Sequence, residues 1–277
     1  MKKVLLVAFA LVSLGRSAMA FDGNAMALHL RKALSLDTRT EIKITSAPVP
    51  SGIGDLMVVN AYLGGSPYPI YLTKDEKKYF FATPIDATVD PDKAHEKGIS
   101  LKKVHAMGSP TAPITIVEYS DLQCSHCKFA HDTIKKELYK NYTEAQVRFV
   151  SKYFPLTGHD WAEPAAVAAE CASAQKESNY WEVVNYFFTN QEKVTKENVK
   201  DKIGEVGKQL NLNSAQLTSC MNAGPALARV RSDKQEGMGI GVNSTPAFFI
   251  NGRARRGFGN FDDIKVVIEE KLNDLKK

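Results

Sequence analysis

Apolar residues change their spacing several times along the chain. Residues 4–14 are dominated by Leu, Val, Ala and Phe and follow two lysines. Met26, Leu30, Ala33 and Leu34 then recur at helical spacing, which predicts a helix ending near residues 35–37. Three runs rich in β-branched and aromatic residues follow at 56–63, 68–73 and 79–82, with turns at 64–67 and 74–78. Asp90-Pro91 is a helix-start signal, but residues 91–107 are mostly polar and read as an interdomain linker. From Thr111 the order is β-α-β: a strand at 114–119, a helix from Cys124 to about Tyr139, and a strand at 147–150. A long helical stretch follows. Pro164 lies in the first turn of one helix, 180–190 is a second, and Val199, Ile203, Val206 and Leu210 mark a third. Ser214 caps a fourth and Pro225 opens a fifth. A strand at 247–250, an Asn251-Gly252 hairpin turn and a short strand at 253–257 come next. The last helix places Ile264, Val267, Ile268 and Leu272 on one face. The expected fold class is α/β with a helical insertion at about 159–238, preceded by a small α+β module over 21–90.

Length and composition narrow the class. The 277 residues are 44% hydrophobic and 24% charged, which excludes a disordered, collagen-like or multi-span membrane chain. Four cysteines are too few for a disulfide-stapled miniprotein, so the core must come from apolar burial. Net charge is +5, but Lys2, Lys3 and Arg16 lie in the first twenty residues, which hold no acid. The remaining 33 Lys and Arg against 31 Asp and Glu leave +2, and no nucleic-acid partner is expected. Residues 1–20 read as a signal peptide, with Lys2-Lys3, the apolar run and an A-x-A site at Ala18-Met19-Ala20. The mature chain is expected to begin at Phe21, in a compartment that permits disulfides. An N-terminal anchor helix is the alternative. The module at 21–90 is too small to bury much apolar surface, so a partner copy or its own chain must cover it.

Cys124-Ser125-His126-Cys127 is a C-x-x-C at a strand-to-helix junction. Cys124 stands at a helix N-terminus, where unpaired N–H groups and the macrodipole stabilise a thiolate. That makes Cys124 the nucleophile and Cys127, one turn on, the resolving thiol. His126 is read as a lever on redox poise. Lowering Cys124 from ~8.5 to ~4.5 would favour its thiolate by about 3.4 kcal/mol at pH 7, or roughly 75 mV towards oxidation. Glu118, six residues earlier at a strand end, is a candidate buried acid that moves the Cys127 proton. Cys124, Cys127 and His131 could supply three zinc ligands, but no fourth has matching spacing. Haem attachment fails because Lys128, not His, follows the second cysteine. No cofactor or metal is expected. Thr245-Pro246 opens the strand at 247–250, where proline is tolerated.

Together these residues resemble the thioredoxin-fold oxidoreductases, and more narrowly the periplasmic Dsb family, over about residues 111–277 of a catalytic domain expected at 108–277. The resemblance implies a thioredoxin fold with the chemistry of thiol:disulfide interchange. It also implies a cis Pro246 against the C-x-x-C, with Thr245 and Pro246 binding substrate. Ser125-His126 is similar to the Pro-His of the DsbA oxidases. Thr245 is more like the isomerases DsbC and DsbG, and residues 21–90 resemble their dimerisation domain. The reading is therefore a periplasmic disulfide isomerase or reductase acting on exported proteins with cysteines. It would be a homodimer, kept reduced by a DsbD-like membrane partner. A DsbA-like oxidase with a DsbB-like partner is the alternative, as is a non-enzymatic chaperone.

Cys171 and Cys220 are expected to form a structural disulfide in the helical insertion, as similar pairs do in parts of the DsbA-like family. Two buried free thiols are the alternative. The bridge would contribute roughly 3–4 kcal/mol. His159 and Asp160 read as helix-entry residues, and Arg253, Arg255 and Arg256 as a solvated basic face.

Overall fold

The computed structural model describes residues 21–33, 40–63, 66–80 and 88–276. The expected signal peptide, the end of the first helix and the Gly64-Gly65 turn lie outside the described residues. The chain divides into two compact units, Met1–Asp86 and Ala87–Lys277.

In the first unit, α1 (Gly23–Ala33) starts where the Asp22 carboxylate accepts hydrogen bonds from the Asn24 and Ala25 N–H groups. Five strands form one antiparallel sheet: β1 (Ile42–Ile44), β2 (Val49–Pro50), β3 (Met57–Leu63), β4 (Ser66–Leu72) and β5 (Tyr79–Phe80). β3 is central, flanked by β4 on one side and by β1 and β2 on the other. Leu30 of α1 joins Val59, Ala61, Ile70 and Leu72 in the core. β1 and β2 escape a sequence reading because they are two or three residues long and include Lys43 and Pro50. On the sheet face that alternates with the core, Val49, Val58, Tyr71 and Phe80 stand opposite one another across four strands. Val49 is 49% and Phe80 40% exposed.

The second unit begins earlier than its chemistry suggested. Residues 91–107 are not a linker. Asp90 caps α2 (Pro91–Gly98), its carboxylate accepting from the Asp92 and Lys93 N–H groups. Asp92 then pairs with Arg253 and Lys271, and the His95 ring bonds the Gly252 carbonyl. β6 (His105–Met107) adds an edge strand. These residues are polar because they form ion pairs, and polarity alone resembles a linker. β7 (Ile114–Ser120) and β8 (Val147–Tyr153) are parallel, while β9 (Ala247–Ile250) and β10 (Arg253–Arg256) run antiparallel to their neighbours. The sheet order is β10-β9-β7-β8-β6.

α3 (Ser125–Asn141) and α9 (Asp262–Asp274) cover one face, packing Ile134, Leu138, Ile264 and Ile268 on Ile114, Ile116, Phe248 and Ile250. Ile99, Val104 and Ile240 pack on the other face around Val117, Tyr119 and Phe249. The insertion comprises α4 (Ala162–Ser173), α5 (Asn179–Thr189), α6 (Val199–Gln209), α7 (Ser214–Asn222) and α8 (Pro225–Gly239). Its core includes Trp161, Val183, Phe187 and Ile203, and is continuous with Leu122, Cys124 and Cys127. Asn213, not Ser214, caps α7 by accepting from the Gln216 N–H. Asn251 and Gly252 both take positive φ, as a tight hairpin demands. Gly252 has a second constraint, since a Cβ there would overlap the Asp92 carbonyl.

Candidate active site

β7 ends in Ser120, and four residues turn the chain into α3. Cys124 occupies the N-cap with extended backbone, so its sulfur stands at the free N–H groups of the first turn. Cys124 is 8% and Cys127 0% exposed, and both are unbonded thiols. The Cys127 thiol donates to the Cys124 sulfur, which is the main reason Cys124 is drawn down to about 4. Burial opposes this, and the Cys127 and His126 N–H groups reinforce it. Cys127 moves the other way: burial, the hydrogen bond to Cys124 and the charge on Glu118 push it well above an ordinary thiol. The pair is thus polarised into a nucleophile and a protonated neighbour.

Glu118 is 4% exposed, and burial, aided by charge on Cys124, pushes its carboxyl up to about 7. It is therefore a carboxyl that both holds and releases a proton near neutrality. The Thr245-Pro246 bond is cis. It brings the Thr245 carbonyl within 3.5 Å of Cys124 Sγ.

The structure brings Cys124, Cys127, Glu118, Thr245 and Pro246 together. The His126 side chain is exposed, and its backbone N–H helps to lower the Cys124 pKa. Cys171 and Cys220 are joined by a disulfide between α4 and α7. Arg253 faces Asp92 and Glu270. Among the described residues, no group of three or more His, Cys, Asp or Glu is arranged to hold a metal ion.

Three residues of the reactive turn's support escaped the sequence reading. Asp121 is buried. Its carboxylate accepts from the Gln123 N–H at 2.7 Å, the Leu156 N–H at 2.7 Å and the His159 ring at 2.8 Å. Its own N–H donates to Cys127 Sγ at 3.4 Å. The Gln123 side chain accepts from the Trp161 N–H, and Gln191 donates to the carbonyls of Leu122 and Cys124. So His159 stands beside the helix entry as expected but is bound to the reactive turn. The available signal was Asp121 and Gln123 flanking Leu122 in an otherwise apolar junction. Gln191 carries no local mark.

Comparison with known proteins agrees with this geometry. A family model described as thioredoxin matches residues 100–270, well over half of the chain. The Na(+)/H(+) antiporter NhaA 3 of Salinispora tropica is 30% identical over 181 residues, 65% of this chain. The match spans only 25% of that antiporter's length. Disulfide bond formation protein D of Bacillus subtilis is 24% identical over 178 residues, 62% of this chain and 79% of that protein. The crystal structure of Wolbachia pipientis alpha-DsbA1 superposes with a TM-score of 0.57 at 20% identity, covering 67% of this chain and 97% of that one. With its DsbA-like fold and a C-x-x-C at the start of the first sheet-covering helix, the chain belongs to the thioredoxin family.

Proposed function

We propose that this protein is a thiol:disulfide oxidoreductase acting on exported proteins. The polarised Cys124–Cys127 pair beside Glu118 and the Thr245-Pro246 loop carries that reading. Starting from the disulfide, a substrate thiolate attacks Cys124 Sγ. The Cys124–Cys127 bond breaks, and Cys127 leaves as a thiolate that takes the proton of Glu118. A second substrate thiolate then attacks the substrate sulfur of the mixed disulfide. Cys124 leaves with the electron pair, the substrate gains its disulfide, and the enzyme holds the two electrons. A thiolate stable at neutral pH is a good leaving group, so the favoured direction is oxidation of substrate thiols. A quinone-linked, DsbB-like membrane partner fits that direction.

The first unit favours a second reading, as an isomerase. Its row of Val49, Val58, Tyr71 and Phe80 is an apolar stripe suited to a second copy. Two copies would hold two reactive pairs for one misfolded chain, kept reduced by a DsbD-like partner. Reduced and scrambled ribonuclease, refolded side by side in the periplasmic redox range, test the proposal. Recovery from the reduced form alone supports the oxidase, and recovery from the scrambled form supports the isomerase. Aggregation suppression that persists without either cysteine, with no ribonuclease recovered, supports a chaperone. Light scattering on the chain from Phe21 tests the dimer, which a monomer would exclude.

A further inference from the structure

Next to the dithiol, four buried polar atoms have no hydrogen-bond partner: Glu118 Oε1, Ser120 Oγ, His131 Nε2 and Thr245 Oγ1. Glu118, Ser120 and His131 line one small cavity, walled also by Phe149, Tyr180 and Phe188, with room for about one water molecule. A buried polar atom left unpaired costs roughly 1–3 kcal/mol. Three such atoms around a space of this size form a water site, since one water bonds two to four polar groups. The site joins a carboxyl on β7 to an imidazole on α3.

His131 also lines a second, larger cavity of about 130 Å3 with Lys135, Glu182 and Asn185. The imidazole therefore lines both a small cavity that contains Glu118 and a larger one lined by the exposed Lys135 and Glu182. The charged groups around it are Lys128, Asp132 and Lys135 on its own helix, Glu182 on α5, Glu118 on β7, and Asp121 and Lys152 beside the small cavity. Burial lowers the His131 pKa, so the ring is neutral at pH 7, with one nitrogen accepting and the other donating.

We propose that His131 is the relay through which Glu118 exchanges its proton with solvent, by way of one water in the small cavity. The inference rests on the thiol-exchange reading. When Cys127 attacks the Cys124 sulfur of a mixed disulfide, its thiol proton passes to the Glu118 carboxylate. The Cys124–Cys127 bond forms, and the substrate leaves as a thiolate. Glu118 is now neutral and must lose that proton before the next turnover. The water accepts it and passes its own proton to His131 Nε2. The ring releases the proton on its other nitrogen into the larger cavity. The reverse order supplies the proton when Cys127 leaves as a thiolate.

A relay changes rates and leaves equilibria alone. That separates it from a residue that holds the fold or shifts the field at the sulfurs. The full mature chain is compared with His131→Leu and His131→Gln. Two quantities are read: the turnover of a cysteine-peptide disulfide in low buffer at pH 6–8, and the equilibrium with glutathione. Both variants are expected to turn over about tenfold more slowly, ~1.4 kcal/mol in barrier, with the glutathione equilibrium within twofold of the parent. Adding a small proton-carrying buffer should narrow the gap. Unchanged turnover in either folded variant overturns the relay. So does a shift in the equilibrium as large as the change in rate. If the leucine variant does not fold, the glutamine variant decides alone. A parent protein that exchanges no disulfide defeats the functional proposal first, and that result is distinct from a parent and variants that exchange alike.

Discussion

Cys124 and Cys127 sit three residues apart at the start of α3, while Cys171 and Cys220 come from α4 and α7 and are bonded across 49 positions of sequence. Both pairs lie against the same core, yet their surroundings differ. The first pair faces free helix N–H groups, a buried carboxyl and the Thr245 carbonyl, and its two sulfurs are driven to opposite acidities. Cys171 is 1% exposed, in an alanine-rich helix face packed among apolar side chains. Reactivity here comes from the hydrogen bond between the two thiols, then from backbone ends and neighbouring charge. Depth does not supply it, since Cys127 is as buried as Cys171.

The largest effect that follows is on chemistry. Cys124→Ser should lower disulfide exchange by a factor of about a thousand or more, ~4 kcal/mol in barrier, with the melting temperature little changed. Cys127→Ser should instead accumulate a mixed disulfide with a cysteine peptide, visible by mass. If Cys127→Ser turned over normally, Cys127 would not be the resolving thiol, and the contrast between the two pairs would lose its chemical side.

The second pair should show the mirror image. Replacing Cys171 and Cys220 together by alanine should cost about 3–4 kcal/mol, or about 10 °C in melting temperature for a unit of this size. The glutathione equilibrium of Cys124–Cys127 should stay where it was. A double variant that melts like the parent but shifts that equilibrium would reverse the two assignments.

Both pairs were visible in the sequence to different degrees. The C-x-x-C, Glu118 and Thr245-Pro246 were legible because short-range chemistry marks them: a strand end, a helix start, a proline before a strand. The helices of the insertion were legible from apolar spacing. Asp121 and Gln191 were not, because their partners, Leu156, His159, Leu122 and Cys124, are 35 to 69 positions away. The edge strand His105–Met107 was hidden for a related reason. Its polar His105 is buried against Glu170 and Glu177, contacts that only the folded insertion supplies. The supposed linker and the missed clamps share that cause.

Glu118 sharpens the comparison through pH. Its folded pKa of about 7 lies above the ordinary value of 4.5. The folded state therefore holds a proton that the unfolded chain has already lost. Stability falls as pH rises from 4.5 to 7, by about 3 kcal/mol in all. Glu118→Gln does not titrate. Denaturation at pH 5 and pH 8 should find the variant gaining on the parent by about that amount at the higher pH, while exchange through Cys127 slows. A difference between parent and variant that is the same at both pH values would mean that Glu118 ionises like a surface acid.

The smallest effect tests how far the insertion supports the reactive turn. Gln191 lies just beyond α5 and donates to the Leu122 carbonyl at 2.8 Å and the Cys124 carbonyl at 3.1 Å. Gln191→Ala leaves both carbonyls without that donor, at a cost of about 1 kcal/mol. The fold should survive, because the apolar contacts of the insertion core remain. The turn should loosen, because one of its clamps is gone while Asp121 and Gln123 still hold it. Exchange should slow about threefold, and the glutathione equilibrium should move towards the disulfide as the Cys124 thiolate loses its fixed N–H groups. Gln191→Glu is the sharper variant. A carboxylate facing two carbonyls repels both and adds negative charge near Cys124, so it should raise the Cys124 pKa, read by alkylation rate against pH. An unchanged alkylation profile in both variants would show that the turn is held by β7 and α3 alone, and that the insertion contributes only its disulfide and its core.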